Sequence, residues 1–163
     1  MTREQFIAQA EGVQKALRRF LAALCCGDVQ LADDIAQEAL LKAWLAIDSV
    51  RDAGSFAPWV YRIAYNAFLN HRRSVRASEG YSAAERVAGP EASEADAAFR
   101  YQALYAALDR LPEKERTVVV LHYMEGYSAK EIGEITDASA VAVRQQLSRG
   151  RSHLRDFLEH AQA

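Results

Sequence analysis

The segment from Ser128 to Arg155 constrains the fold more than any other part of the chain, because it has the pattern of two helices joined by a tight turn. Ser128 and Glu131 have the spacing of a capping box, in which each side chain accepts a hydrogen bond from a backbone amide at a helix start. Residues 136–138 form a short polar break, and Ser139 is suited to cap the second helix. This pattern predicts a helix-turn-helix.

Polar and basic side chains dominate the second of these helices. Val143 and Leu147 lie four residues apart and can pack on the first helix, which leaves the rest of the surface outward. Arg and Gln read purine edges in the DNA major groove, and the second helix of this motif enters that groove. The candidate DNA-binding residues are Ser139, Arg144, Gln145, Gln146, Ser148, Arg149, Arg151 and Arg155, with His153 extending the basic face. A solvated basic helix in an ordinary bundle is the alternative.

The charge distribution, and not the total charge, carries the nucleic-acid signal. The 163 residues have a formal net charge of −2, so a basic signature of the whole chain is absent. Residues 54–77 and 139–155 contain arginines and no acid, whereas residues 28–38 and 79–96 are acidic. Two separate basic surfaces are therefore expected.

No pattern of catalytic or metal-binding residues is present in the sequence. It has no Gly-rich phosphate loop, nucleophile elbow or zincin motif, so we expect no catalytic site, metal or cofactor. Cys25 and Cys26 match no common zinc or redox spacing, and we expect a reduced thiol pair buried in a helix. No stretch approaches the roughly twenty apolar residues that span a membrane, and no signal-peptide pattern occurs. These features predict a cytoplasmic protein without membrane insertion.

Apolar residues recur at helical spacing along most of the chain, which predicts an all-α fold. We expect one helix up to Gly27, a second from Leu31 to Ile47, and a third from Ser55 to about Arg73. The expected core residues of these helices are Phe6, Val13, Leu17, Phe20, Leu21, Leu24, Ile35, Leu40, Leu41, Trp44, Leu45, Phe56, Val60, Ile63 and Ala67.

A change of composition divides the chain in two. Residues 78–95 are rich in Ser, Ala, Glu and Gly and lack a sustained apolar stripe, which is typical of a flexible acidic linker. Beyond it the helical pattern returns, with Pro112 at the start and Gly126 at the end of a further helix. We predict two small helical domains, 1–77 and 98–163, joined by the linker 78–97.

Two segments resemble the extracytoplasmic-function group of bacterial sigma-70-type sigma factors. The first consists of DDIAQEALLKAW at 33–44 and FAPWVYRIAYN at 56–66. The second consists of LDRLP at 108–112, EGYSAKEIGEI at 125–135 and VRQQL at 143–147. Together they cover most of the chain outside the linker and the two ends, and no third helical domain lies between them, as in this group.

For the first domain, the resemblance implies binding to the clamp of core RNA polymerase and to the promoter −10 element. Asp34, Gln37 and Glu38 match the clamp-binding positions, although the solvated face of any amphipathic helix would offer the same groups. The loop 48–55 matches the loop that holds a flipped −10 base, a role that needs polar groups for the base edge. The side chains implied to bind the −10 element are Asp52, Ser55, Trp59, Tyr61, Arg62, Asn66, Arg72 and Arg73. An ordinary surface turn is the alternative for the loop, and a core position is the alternative for Trp59.

For the second domain, the resemblance implies contacts with the polymerase flap and with the −35 element. It makes Arg144, Gln145, Gln146 and Arg149 the −35 readers. Three positions depart from the family's pattern. Asp137 stands where the family often has a turn glycine, Ala142 where a threonine is common, and Gln146 where an arginine is frequent. The preferred −35 sequence is therefore expected to differ from the family's usual one.

The resemblance thus implies a sigma factor that acts on core RNA polymerase and promoter DNA, with −10 strand opening and no small-molecule substrate. An anti-sigma factor is a further partner that this family commonly uses. A conventional dimeric helix-turn-helix regulator and a sigma-mimicking protein that titrates an anti-sigma factor remain the alternatives. A mimic would not need Arg72, Arg73, Arg144 and Arg149, and an enzyme has the least support.

Overall fold

The computed structural model describes residues 1–50, 52–77 and 95–161, and these ranges form seven α-helices without a β-strand. The predicted all-α fold is therefore confirmed. The helices are α1 (Arg3–Leu24), α2 (Val29–Leu45), α3 (Phe56–Ala77), α4 (Ala95–Asp109), α5 (Glu113–Val119), α6 (Ala129–Thr136) and α7 (Ala140–Ala161). Most of the predicted linker lies outside the described residues, and its last three positions belong to α4.

Helices α1 to α3 pack into an N-terminal unit around aromatic side chains. Asp28 caps α2 by accepting a hydrogen bond from the Leu31 amide (3.1 Å). Phe20, Phe56 and Phe68 are fully buried where the three helices meet. Burial of a large aromatic side chain stabilises a fold by roughly 1.5–3 kcal/mol, so these rings account for much of the unit's cohesion.

Helix α2 has a different orientation from the one that the sequence predicts. Its buried face consists of Ile35 and small alanines, Ala32, Ala36, Ala39 and Ala43. Leu41 and Leu45, which we expected in the core, are 59% and 76% exposed. Alanine contributes little bulk, so the backbone of α2 can approach α1 and α3 closely. The two leucines are thereby turned to the opposite side of the helix.

Helices α4 to α7 form a C-terminal unit that contains the predicted helix-turn-helix. The capping box is present, because the Glu131 amide donates to Ser128 Oγ (3.2 Å) and the Ser128 amide donates to Glu131 Oε1 (3.0 Å). Asp137 adopts the left-handed conformation (φ 57°), as its place in the turn requires. A Cβ at Gly133 would lie 2.5 Å from the Ala138 carbonyl oxygen, so only glycine lets this turn close.

A wide π-helical turn joins α5 to the helix-turn-helix. It spans Val120–Met124, and Gly126 follows with a positive φ of 78°. The C-cap residue is Glu125, and Gly126 is the left-handed residue that follows it. The helix therefore ends at Gly126 as predicted, with the cap itself one residue earlier.

The cysteines lie at the end of α1, and not within the helix as we expected. Cys25 is the C-cap residue, Cys26 has a positive φ of 54°, and both side chains are reduced thiols and half-buried. Burial, with smaller contributions from Asp28 and Cys26, raises the pKa of Cys25 to about 12. The Cys25 thiol is therefore protonated at neutral pH.

The two units share one continuous core. Arg116 on α5 is buried and donates hydrogen bonds to four backbone carbonyls, with Nη1 reaching Leu24 O at the end of α1 (3.2 Å). Its other acceptors are the carbonyl oxygens of Leu108, Asp109 and Leu111. The same side chain therefore caps the C-terminal ends of α1 in one unit and α4 in the other.

Candidate nucleic-acid interface

The outward face of α7 carries the predicted groove-facing side chains. Val143 and Leu147 are buried against α6, as predicted, and their burial fixes the orientation of the helix. Ser139 caps α7, since its Oγ accepts a hydrogen bond from the Ala142 amide (3.1 Å). Arg144, Gln145, Ser148, Arg149, Arg151 and Arg155 are exposed. This surface, which we call the α7 face, is free of acidic side chains as far as Arg155.

Two side chains of α7 contact neighbouring helices. Gln146 is half-buried and lines a small cavity of about 110 Å³ together with Tyr65 of α3. His153 lies beside α5, where its Nδ1 is 2.7 Å from Glu115 Oε2. Both side chains fall on the flanks of α7 that meet neighbouring helices. Gln146 is thus only partly available to bases in this arrangement, whereas the His153 side chain is 46% exposed and is paired with Glu115.

Helix α3 and the preceding turn carry the side chains predicted to bind the −10 element. Asn66 and Arg73 are exposed, and Trp59 is half-buried next to Phe56, with ring centroids 6.1 Å apart. Asp52 and Ser55 are exposed and bonded to each other, because the Ser55 amide donates to Asp52 Oδ1 (2.9 Å). A second bond runs from Ser55 Oγ to the Asp52 carbonyl oxygen (3.1 Å). These bonds order the turn at the start of α3.

Tyr61 lies in the contact between the two units. The residue is 2% exposed, and its hydroxyl donates to Glu125 Oε2 (2.9 Å). Arg19 of α1 donates to the same carboxylate through Nε and Nη2, both at 3.1 Å. Burial and the neighbouring Glu125 carboxylate raise the pKa of Tyr61 above its ordinary range. We call the group Arg19, Tyr61 and Glu125 the carboxylate latch.

Two further side chains predicted to bind the −10 element also contact the C-terminal unit. Arg72 Nε donates to Glu113 Oε2 at the start of α5 (2.9 Å), and Arg62 Nη1 donates to the Glu134 carbonyl oxygen in α6 (3.3 Å). The C-terminal unit therefore engages Tyr61, Arg62 and Arg72 of the predicted −10 surface. None of these contacts was expected from the sequence.

Polar and apolar groups share the outer face of α2. Asp34, Gln37 and Glu38 are exposed, as expected, and Glu38 Oε1 forms an ion pair with Lys42 Nζ (2.8 Å). Leu41 and Leu45 continue this face at helical spacing. We call the five residues Asp34, Gln37, Glu38, Leu41 and Leu45 the α2 patch. Sequence reasoning missed the two leucines because it assigned them to the core.

A second apolar surface lies toward the end of α7. Tyr123 from the π-helical turn and Leu154 and Leu158 from α7 line an open groove of about 440 Å³. Arg151 and Arg155 flank it, and Arg151 Nη1 donates to the Tyr123 hydroxyl (3.2 Å). We call this surface the α7 groove. No signal in the sequence distinguished these apolar residues from core residues.

Within the described ranges, no group of three or more His, Cys, Asp and Glu side chains is placed to bind a metal ion. None of the described helices is long and apolar enough to cross a membrane.

Comparison with known proteins places both units in one family. The Sigma-70 region 2 profile matches residues 10–78, and the Sigma-70, region 4 profile matches residues 101–154. The ECF RNA polymerase sigma factor SigW of Bacillus subtilis is 33% identical over 145 residues, covering 81% of this chain and 78% of SigW. The ECF RNA polymerase sigma-E factor of Escherichia coli K12 is 32% identical over 139 residues, covering 77% of this chain and 71% of that protein.

Some relatives are much longer than this chain. The probable RNA polymerase sigma factor RfaY of Xanthomonas campestris pv. campestris is 33% identical over 139 residues, which are 80% of this chain but 35% of RfaY. The chain therefore spans about a third of that relative's length.

Two solved structures share the architecture. The sigma factor RpoE in complex with the anti-sigma factor NepR from Bartonella quintana superposes with a TM-score of 0.77 at 25% identity, covering 94% of this chain and 96% of RpoE. CnrH in complex with the cytosolic domain of CnrY has a TM-score of 0.71 at 24% identity, covering 98% of this chain and 90% of CnrH. The latter similarity shows the fold alone.

Proposed function

This chain belongs to the extracytoplasmic-function group of sigma-70-type sigma factors, and from that membership we propose that it directs core RNA polymerase to promoters. In this role it binds the polymerase, recognises −35 and −10 elements and helps to open the DNA at −10. One observation carries the proposal: region 2 and region 4 occur in order on one chain, and the second presents the acid-free α7 face.

In this proposal the −35 element is read by the α7 face. Its N-terminal half enters the major groove, where Arg144 and Gln145 meet base edges. A good bidentate pair between a side chain and a base discriminates against the wrong base by about 1–3 kcal/mol. Arg151 and Arg155, further along the helix, bind phosphates and position the helix without reading sequence.

The −10 element is bound by α3 and the turn before it. Asp52 and Ser55 offer polar groups to a base that has left the duplex, and Trp59 and Tyr61 offer rings for stacking. Stacking is worth about 1–3 kcal/mol per base, which offsets the cost of unpairing. Arg62, Asn66, Arg72 and Arg73 hold the separated strand. Opening is thus driven by binding and needs no covalent chemistry from this chain.

Engagement of the −10 strand requires the two units to move apart. Tyr61, Arg62 and Arg72 are bonded to the C-terminal unit and are not available to DNA while those bonds persist. The segment 78–94 connects α3 to α4. Fully extended, a segment of this length reaches at most about 60 Å, which sets the largest separation of the units on a promoter. Within that reach, each bound unit raises the effective concentration of the other at its own element.

The α2 patch and the α7 groove are the proposed polymerase contacts. The patch combines carboxylate and amide acceptors with two exposed leucines, a composition suited to a basic surface that has an apolar centre. We assign it to the clamp, and we assign the α7 groove to the flap. By analogy with RpoE, whose structure was solved with the anti-sigma factor NepR, an anti-sigma factor is a further proposed partner. The proposed site of action is the cytoplasm.

Run-off transcription tests this function. Bacterial core polymerase and a library of genomic promoter fragments are combined with and without the protein. We expect new, discrete transcripts only when both proteins are present. A Gln37→Ala, Glu38→Ala double variant should fold normally and produce fewer transcripts. A conventional regulator would instead bind duplex DNA without core polymerase, and an anti-sigma-titrating mimic would produce no transcripts at all.

A further inference from the structure

An exposed valine lies at the N-terminal end of the otherwise polar α7 face. Val141 is the second residue of α7 and is 60% exposed. The buried Val143 and Leu147 mark the opposite side of the helix. Arg144 and Gln145 follow Val141 by three and four residues, so all three side chains project from the same surface. Val141 therefore stands at the N-terminal end of the surface that faces DNA in the proposed function.

An exposed valine alone needs no explanation, since single apolar residues are common on protein surfaces. The position of Val141 is more informative, because recognition helices contact base edges with their N-terminal residues. The major groove offers one apolar group to such a side chain, the C5-methyl group of thymine. A β-branched side chain in a helix has one strongly preferred rotamer, so the two methyl groups of Val141 point in a fixed direction.

We infer that Val141 reads a thymine in the −35 element by packing on its C5-methyl group. The inference rests on the proposed function. It adds a preference for the thymine methyl group, which Arg144 and Gln145 do not supply because they contact bases through hydrogen bonds. The contact excludes water from one methyl group of the DNA. Burial of one such group corresponds to roughly a fourfold change in affinity.

The test uses the holoenzyme formed by core polymerase and this protein. A −35 element is first selected from a randomised library by binding to the wild-type holoenzyme. Each thymine on either strand is then replaced in turn by deoxyuridine, which removes only the methyl group. We expect one replacement to weaken wild-type binding about fourfold. For Val141→Ala the same replacement should have a clearly smaller effect, because the two γ-methyl groups that pack on the thymine methyl are gone.

Val29→Ala is the matched control, because Val29 is also an exposed valine (49%) at the start of a helix and lies outside all the proposed interfaces. Its deoxyuridine profile should equal that of the wild type. Both variants should keep the thermal stability of the parent, since neither valine is buried.

Two results would overturn the inference while leaving the proposed function in place. One is the same deoxyuridine profile for wild type and Val141→Ala. The other is a selected −35 element without any A·T pair. Failure of the holoenzyme to enrich any sequence would instead refute the proposed function, and the Val141 inference with it.

Discussion

Replacement of Glu125 by alanine should loosen the contact between the two units. The Glu125 side chain is 3% exposed and accepts three hydrogen bonds, two from Arg19 and one from Tyr61. It belongs to the C-terminal unit, whereas both donors belong to the N-terminal unit. Alanine removes the carboxylate and leaves the buried Tyr61 hydroxyl without this acceptor.

The expected loss follows from the surroundings of each donor. A buried hydroxyl that loses its partner costs about 1–3 kcal/mol. The Arg19 side chain is 46% exposed and water can replace its partner, so the ion pair adds at most about 1 kcal/mol. The sum is about 1–4 kcal/mol, which lowers the midpoint of thermal unfolding by roughly 2–15 °C in a chain of this size. Glu125→Gln keeps an acceptor for Tyr61 and should lose less.

Thermal unfolding measured by circular dichroism, combined with amide hydrogen exchange, tests this reasoning. Exchange should accelerate at the surfaces of α3 and α6 that meet between the units. Glu134→Ala is the matched control, because it removes a carboxylate from α6, whereas the bond from Arg62 goes to the Glu134 backbone. Equal midpoints and equal exchange for Glu125→Ala and Glu134→Ala would show that the carboxylate latch does not hold the units together.

Three further outcomes are expected. Burial, followed by the charges of Glu125 and Glu131, raises the pKa of Tyr127 to about 12. The contribution of the protonated Tyr127 to stability is therefore complete below about pH 10 and is lost as the pH rises toward 12. Urea unfolding of Tyr127→Phe should show a smaller loss of stability at alkaline pH than the wild type. A Leu41→Ala, Leu45→Ala variant should weaken binding to core polymerase, measured by fluorescence anisotropy, without lowering the unfolding midpoint. Arg144→Ala should cost about 1–3 kcal/mol at one −35 position, whereas Arg155→Ala should weaken all sequences alike and reduce the salt slope.

Each of these outcomes has a clear contrary result. An unchanged alkaline slope would mean that Tyr127 ionises normally in the folded protein. Unchanged polymerase affinity of the double leucine variant would exclude the α2 patch as a core-binding surface. Equal losses on every −35 variant would make Arg144 a phosphate contact.

Local signals in the sequence predicted much of the fold. The capping box of Ser128 and Glu131, the turn at Asp137 and the cap at Ser139 depend only on neighbouring residues, and all three are present. The burial of Val143 and Leu147 follows from helical spacing, which also oriented the α7 face correctly.

The remaining features depend on contacts that neighbouring residues do not specify. Helix α2 has Leu41 and Leu45 on one side and alanines on the other, and spacing alone did not show that the alanine side packs inward. Glu125 and Arg19 are separated by 106 positions, so no local pattern links them. The availability of Tyr61 to DNA depends on that distant pair. The functions of the individual DNA-binding and polymerase-binding side chains stay predictions.

The hydrogen bonds from Arg116 to four backbone carbonyls have a consequence for the order in which the protein folds on the ribosome. Arg116 is synthesised 92 residues after Leu24, to whose carbonyl oxygen it donates a hydrogen bond. At about 5–20 residues per second, that interval is roughly 5–20 s. Over the last 39 residues of that interval, after Ala77, the N-terminal unit is complete as a sequence, while the end of α1 still lacks its partner from α5. The surfaces of α1 and α3 that meet the C-terminal unit are therefore open to other molecules in the nascent chain, before their own partner exists.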